Sequence, residues 1–162
     1  MPPNLFRDRN GVAALEFALV VPMLLTIFAG LSDFLFAFSD QIQLASGVAS
    51  GAAYAFNQAQ NVSGTASPVS SSDVQAKVLS SLSLPNVSVT VTGPSLNCIT
   101  KSNSTPPIAS LTSGTAGTTC SSGQSPANYL VITASYIYTP IMPFYSTLAK
   151  TTLTENAVVR LY

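Results

Sequence analysis

The stretch from Arg7 to Phe38, RDRNGVAALEFALVVPMLLTIFAGLSDFLFAF, decides how the rest of this chain is arranged. Between Val12 and Ser32 it holds about 21 residues, enough for a helix of about 31 Å, which is one bilayer crossing. Glu16 is the single charged residue in that run. We therefore predict a membrane-spanning helix to which the rest of the chain is attached.

Basic residues on one side of this run predict its orientation. Arg7 and Arg9 come directly before it, and the next Lys or Arg is Lys77. The positive-inside rule then places the N-terminus in the cytoplasm and the C-terminal part across the membrane. The run is long for a secretory signal, and IFAGLSD near its end offers no good small-x-small cleavage site. An uncleaved signal anchor remains an alternative.

Glu16 is costly in an apolar helix, and ionisable residues in such places are usually functional. A peptidase that cut after Gly11 would create an amine on Val12, a positive charge at the bilayer edge. Val12 and Glu16 stand at positions i and i+4 of one helix, so they could pair within a chain, or between subunits to set axial register. The alternative is an interfacial glutamate that simply reaches headgroup water.

These residues resemble the prepilin family, and more narrowly the TadE-like pseudopilins of the Tad (Flp, type IVb) pilus system. The resemblance comprises a short basic leader, Gly11 and Val12 flanking the scissile bond, and Glu16 followed by the aromatic Phe17. The segments ALVVPMLL, GLSDFLFAF and SGVASGAAYAF extend it, and YLVITASYIYTPIMPFY and TLTENAVVRL are similar to that family's closing strands. Residues 61–124 carry no such resemblance.

The resemblance implies a function, partners and a location. Major Flp pilins usually carry Tyr after the Glu and are much shorter, so Phe17 and a length of 162 residues favour a minor pseudopilin. Such a subunit would be cleaved by a prepilin peptidase and would prime or regulate pilus assembly. Its partners would be the membrane, other pilins through the N-terminal helix, and the inner-membrane assembly platform. The chain would cross the bacterial inner membrane once, with its C-terminal domain in the periplasm, and would enter a pilus.

The predicted fold is α+β and pilin-like. It has a leader at residues 1–11, a long helix at 12–58 whose first half spans the membrane, and an extracytoplasmic domain at 59–162. In that domain the helix packs on a small antiparallel sheet of about three strands with one short helix. The predicted strands are Val87–Thr92, closed by Gly93-Pro94, then Tyr129–Thr139 and about Leu148–Leu161.

The long helix carries two further features with open alternatives. Pro22 removes the hydrogen bond to the carbonyl of Ala18 and favours a kink, although a tolerated transmembrane proline is equally compatible with the sequence. Gly47-x-x-x-Gly51 matches a dimerisation pattern, but packing on the domain's own sheet is the favoured interpretation. Asp33 and Asp40 are predicted to mark the exit from the bilayer.

Smaller elements complete the predicted domain. Ser71 or Ser72 is predicted to cap a short helix that buries Val74, Val78, Leu79 and Leu82. Phe144 and Tyr145 are expected against the core. The segment from about Ser95 to Asn128, rich in Ser, Thr, Gly and Pro, reads as an exposed loop: a variable contact surface or a mere insertion.

Cys98 and Cys120 both lie in the part predicted to be outside the cytoplasm, where a disulfide is the default state. A loop of about 22 residues closed in this way gains about 3 kcal/mol in the chain-entropy model. Metal binding is disfavoured because no histidine or carboxylate lies between the cysteines.

Composition argues against several classes of function. The chain has no histidine, six scattered acidic residues and no phosphate-binding glycine loop, so we predict neither an enzyme nor a cofactor or metal protein. The net charge of +0 and the 7% of charged residues leave no basic face for nucleic acid. The runner-up function is an uncleaved membrane-anchored binding module that uses the Cys98–Cys120 loop.

Overall fold

The computed structural model describes residues 9–61, 69–101, 109–142 and 145–161. The helices are α1 (Arg9–Gln60), α2 (Ser71–Ser80) and α3 (Tyr145–Leu148). The strands are β1 (Ser88–Lys101), β2 (Ala109–Ser113), β3 (Ala127–Ile137) and β4 (Thr152–Arg160). The α+β prediction is confirmed, with four strands in place of three and a second short helix.

Helix α1 is longer than predicted. It holds 52 residues, which correspond to about 78 Å of helix axis. Contacts divide the chain into two units: α1 up to Ser39 lies in the first, with Thr139–Thr151, and α1 from Asp40 lies in the second, with Asp40–Tyr138 and the C-terminal segment from Thr152. The polar and small residues after Ser39 thus belong to a different packing environment from the apolar run before it.

The second unit contains one antiparallel sheet with the strand order β2-β1-β3-β4. The central pair β1 and β3 places Val89 opposite Ala134 and Val91 opposite Ile132. On the other side, β4 pairs along the whole of β3 from Tyr129–Arg160 to Ile137–Thr152. Two of the predicted strands are therefore neighbours of β3. The bounds of β3 and β4 differ from the prediction by a few residues, whereas β1 extends well past its predicted end.

The prediction that Gly93-Pro94 closes the first strand is wrong. The register shifts between Thr92 and Ser95, and the pairing with β3 then resumes and continues to Asn97, after which β1 runs on to Lys101 paired with β2. Gly93 has a φ of 111°, and a Cβ at this position would lie 2.6 Å from the carbonyl oxygen of Tyr129. Only glycine fits this irregularity, which absorbs the proline without ending the strand.

The predicted exposed loop also contains a strand. Residues Ala109–Ser113 form β2 and pair with Asn97–Lys101 of β1. This strand has a single large apolar side chain, Leu111, so its sequence lacks the alternation that identifies a half-buried strand. Backbone hydrogen bonds to β1 define it instead, and composition alone does not reveal them.

The core of the second unit lies between α1, α2 and the sheet. Its fully buried large side chains include Leu44 from α1, Val74 and Val78 from α2, and Leu130 and Ile132 from β3. Burying a side chain of this kind contributes about 1.5–3 kcal/mol. Predicted packing of the second half of the long helix on a sheet is thus observed, with α2 as an additional partner.

Helix α2 departs from its prediction at two points. Its N-cap is Ser70, without a side-chain capping bond, and not Ser71 or Ser72. Leu79 is 43% exposed because it lies off the face defined by Val74 and Val78, which are one helical turn apart. Leu82 is half-buried, as expected of its position on the core side.

Close packing explains the small-residue segment of α1. A Cβ added at Gly51 would lie 2.2 Å from Cγ2 of Val78, and one added at Gly47 would lie 2.5 Å from Cδ2 of Leu82. Both glycines are buried within the second unit. The lack of side chains at these two positions therefore lets α2 and the turn after it pack closely against α1. This agrees with packing inside the domain and not with a helix dimer.

Candidate functional site

The predicted scissile bond lies in the first helical turn of the described chain. Helix α1 begins at Arg9, so Gly11 and Val12 both have helical backbone, and both are exposed. A methyl group added at Gly11 would meet no atom within 4 Å. The peptide bond between Gly11 and Val12 is therefore open to an approaching protein, although the helical turn must unwind to enter an extended protease cleft.

Glu16 and Phe17 follow on the same uninterrupted helix. Val12 and Glu16 are four positions apart, an axial distance of about 6 Å, and i, i+4 side chains lie on one face. Phe17 is exposed and points about 100° away around the helix. The structure brings Val12 and Glu16 into one row, and Phe17 presents an aromatic ring on the adjacent face.

An apolar surface continues from this row along the first unit. Among the described residues, one helix is long and apolar enough to cross a bilayer, and none of its most apolar 18-residue window is buried. Leu19, Met23, Ile27 and Phe28 are all well exposed. Such a surface is compatible with a single-pass membrane anchor, because lipid or another apolar helix would cover it.

Pro22 lies inside α1 without ending the helix. The hydroxyl of Thr26 donates a hydrogen bond of 2.8 Å to the carbonyl oxygen of Pro22, and the hydroxyl of Ser32 donates one of 2.9 Å to that of Phe28. Such back-bonds satisfy hydroxyl donors without water, as a bilayer would require. A bend at Pro22 stays a prediction.

Asp33 has a role that the sequence prediction missed. It was expected to mark the exit from the bilayer, but its side chain is 0% exposed. Its Oδ1 accepts a hydrogen bond of 2.9 Å from the backbone N–H of Ile141, and its Oδ2 accepts one of 2.7 Å from that of Met142. Asp33 thus attaches the segment after β3 to helix α1.

A second contact accompanies this carboxylate. Tyr145 is buried, and its ring centroid lies 5.0 Å from that of Phe34 at an interplanar angle of 51°. The expected burial of Tyr145 is confirmed, but its partner is the helix of the first unit; Phe144 lies outside the described residues. The hydrogen bonds from Ile141 and Met142 to Asp33 have no local sequence signal, since the donors lie 108 and 109 residues from the aspartate.

Asp40, the other predicted exit residue, is half-buried in the second unit. Burial raises the pKa of its carboxyl group. Nearby, the side-chain amide of Gln41 donates a hydrogen bond to a carboxylate oxygen of Glu155 in β4. Asp33 and Asp40 thus lie in different packing environments, the first in unit one and the second in unit two.

The predicted disulfide is present. Cys98 in β1 and Cys120 in the segment between β2 and β3 are bonded, with their Cα atoms 5.6 Å apart. The N–H of Cys120 donates a hydrogen bond of 2.8 Å to the carbonyl oxygen of Gln124, which closes a tight turn. The bond therefore holds this turn against the edge of the sheet.

A depression of about 360 Å³ adjoins the disulfide. Its walls are neutral, and its lining residues are Ile99, Thr100, Ser121, Ser122 and Gln124. In the described parts of the chain no three side chains of His, Cys, Asp or Glu come together to hold a metal ion. Hydroxyl and amide groups are thus the chemistry that this depression offers.

Loss of the disulfide should destabilise the second unit. We expect Cys98→Ser/Cys120→Ser to lower the free energy of unfolding by about 3 kcal/mol, because the unfolded chain regains the entropy of a loop whose ends are 22 residues apart. Urea unfolding of the full chain in detergent measures this difference. Wild-type protein unfolded under reducing conditions is the control, and a reduced wild type as stable as the oxidised form would contradict the prediction.

One region of the chain matches a known protein family. Residues 11–53 match the family model of TadE-like proteins, which confirms the resemblance seen in the sequence. The match begins at Gly11 and covers Glu16, Phe17, the apolar surface and both buried glycines. No curated protein and no solved structure matches the chain significantly.

Proposed function

We propose that this TadE-like chain is a minor pseudopilin of a Tad/Flp-type pilus. A prepilin peptidase would cut it after Gly11, and it would then prime or regulate assembly from the inner membrane. The family match over residues 11–53 carries the proposal, because it falls on the segment that contains the scissile bond, Glu16 and the apolar surface. The role is structural and does not involve catalysis.

The proposed topology follows from charge and hydrophobicity. Residues 1–11 would form a cytoplasmic leader, since Arg7 and Arg9 are retained on the cytoplasmic side. The apolar part of α1 would span the membrane once, and residues 59–162 would form the periplasmic domain. The disulfide supports this arrangement, because such bonds persist in oxidising compartments.

Glu16 would act after cleavage. The new ammonium group of Val12 would lie in a region of low dielectric, where an unpaired charge is strongly unfavourable. Glu16 of the same or a neighbouring subunit would neutralise it, and only one axial register would bring the two charges together. The exposed apolar side chains around Glu16 would pack against other pilins through the N-terminal helix, above the assembly platform.

A second candidate function is an uncleaved, membrane-anchored binding module. The depression beside the disulfide favours it, because a covalently held edge with neutral polar walls can bind a partner without ordering a loop. In this case the leader would remain attached and α1 would serve as an anchor only.

The N-terminus of the native protein distinguishes the two functions. We expect the chain purified from membranes of its own cell to begin at Val12, as measured by intact-mass spectrometry. Gly11→Ile is the matched variant and should retain Met1 or the residue after it, because a bulky side chain before the scissile bond would obstruct a protease that accepts glycine. A wild-type chain that keeps its leader would rule out processing and favour the binding module.

A further inference from the structure

The segment between β3 and β4 presents two large apolar side chains to solvent. Ile141 is 73% exposed and Leu148 is 74% exposed, more than the lipid-facing candidates Leu19 and Met23 on α1. The opposite side of the segment is buried, with Tyr145 at 5% exposure. The segment is therefore amphipathic, with a packed side and an uncovered apolar side.

The packed side fixes the segment at one level of helix α1. Asp33 accepts hydrogen bonds from the backbone of Ile141 and Met142, and Phe34 contacts the ring of Tyr145. A methyl group added at Gly30 would lie 3.3 Å from Sδ of Met142. All of these contacts lie within the first unit, so Ile141 is held beside residues 30–34 of the helix, and Leu148 follows Tyr145 by three residues in the short helix α3.

That level coincides with the end of the apolar run. Gly30 and Asp33 lie about 27 and 32 Å along the helix from Val12, while the hydrocarbon core of a bilayer is about 30 Å thick. A helix that crosses the membrane from Val12 therefore brings this segment to the outer boundary between acyl chains and headgroups. Lys150, which is exposed two residues after Leu148, belongs to the same unit.

We propose that Ile141 and Leu148 insert into the outer leaflet of the membrane and that Lys150 contacts lipid phosphate. The partner is a phospholipid bilayer, because the exposed surface of the segment adjoins the surface of α1 that the same bilayer would cover. Apolar side chains at this depth enter the headgroup and acyl boundary, and a lysine ammonium reaches the phosphates. The inference rests on the proposed membrane crossing by α1.

The proposed lipid contact of the segment explains the burial of Asp33. The carboxylate lies at the membrane boundary without facing lipid, because two backbone N–H groups surround it. It holds the segment against the helix, and the segment in turn covers the carboxylate. The helix and the segment together form a two-part membrane contact that limits rotation of the helix about its axis.

Single-tryptophan fluorescence tests the proposal, since the protein contains no tryptophan. Leu148→Trp and, separately, Ile141→Trp are placed in the full chain, reconstituted in phosphatidylcholine and phosphatidylglycerol vesicles, and excited where tyrosine does not absorb. We expect blue-shifted emission, with strong quenching by lipids brominated near the start of the acyl chain. Ala116→Trp, at an exposed position of the second unit, is the matched control and should show quenching that is several-fold weaker.

Leu24→Trp separates the proposal from the membrane crossing on which it depends. Its quenching by lipids brominated near the chain end confirms insertion of α1, whereas its absence overturns both ideas. If Leu24→Trp is quenched while Leu148→Trp and Ile141→Trp emit as in water, only the lipid contact of the segment is overturned. Blue-shifted emission without lipid quenching would assign the segment to a contact with another protein chain, which also overturns it.

Discussion

Glu16→Ala is expected to leave cleavage after Gly11 intact and to lower the number of assembled pili at least about tenfold. The physical reason is the ammonium group of Val12, which would enter the assembly without a partner; 1.4 kcal/mol suffices for a tenfold loss, and an unpaired buried charge costs several kcal/mol. Intact mass reports processing, and counts of pili together with the subunit content of sheared fractions report assembly. Normal pilus numbers in this variant would exclude the register role.

Three further variants serve as comparisons for this experiment. Leu15→Ala changes an exposed apolar neighbour of Glu16 without altering charge, and it should reduce assembly far less. Glu16→Gln keeps the size and hydrogen-bonding ability of the side chain, so a defect close to that of Glu16→Ala assigns the effect to charge. The combination of Glu16→Ala with Gly11→Ile should be no worse than Gly11→Ile alone, because the amine that Glu16 serves is then never formed.

Gly51→Val is expected to destabilise the second unit. A Cβ at this position overlaps Cγ2 of Val78 at 2.2 Å, and Val78 is fully buried and β-branched, so it has little freedom to move away. Overpacking of this kind costs about 1–3 kcal/mol or more, which exceeds the gain in helix propensity of under about 1 kcal/mol on replacing glycine. Urea unfolding of the full chain in detergent, followed by far-ultraviolet circular dichroism, measures the difference.

Matched variants separate overlap from other effects of valine. Ala53→Val introduces the same side chain at an exposed position of the same helix and should change stability by under about 1 kcal/mol. Gly51→Ala/Val78→Ala removes the two γ carbons of Val78 and adds one methyl group at position 51, and it should be more stable than Val78→Ala alone because the new methyl fills part of the space vacated. Equal stability of Gly51→Val and wild type would show that this contact is not close in solution.

Local patterns in the sequence predicted much of the fold. The long helix is evident because its apolar run and small-residue continuation contain no strong break, and β3 because Tyr, Val, Ile and Thr dominate it. The disulfide could be expected because Cys98 and Cys120 are the two cysteines of the chain. The candidate site at Gly11, Val12, Glu16 and Phe17 could be predicted from the sequence for the same reason: all of its members lie within two turns of one helix.

The features that sequence patterns failed to predict depend on contacts between residues far apart in the chain. Strand β2 was missed because its residues carry almost no hydrophobic alternation and depend on backbone bonds to β1. The end predicted at Gly93-Pro94 was wrong because the irregularity of β1 requires β3 as a template on which pairing resumes. The hydrogen bonds of Asp33 were missed because its two donors lie more than a hundred residues away.

The sequence by itself determined that one apolar helix precedes a polar, disulfide-bonded domain, because hydrophobicity, charge order and cysteine count are properties of adjacent residues. Only the tertiary structure decided that Gly51 leaves room for the side chain of Val78, that a fourth strand forms, and that Asp33 accepts hydrogen bonds from Ile141 and Met142. Each of these depends on side chains or backbone groups brought together from separate parts of the chain. Their free energy comes from contacts that exist only once the chain is folded.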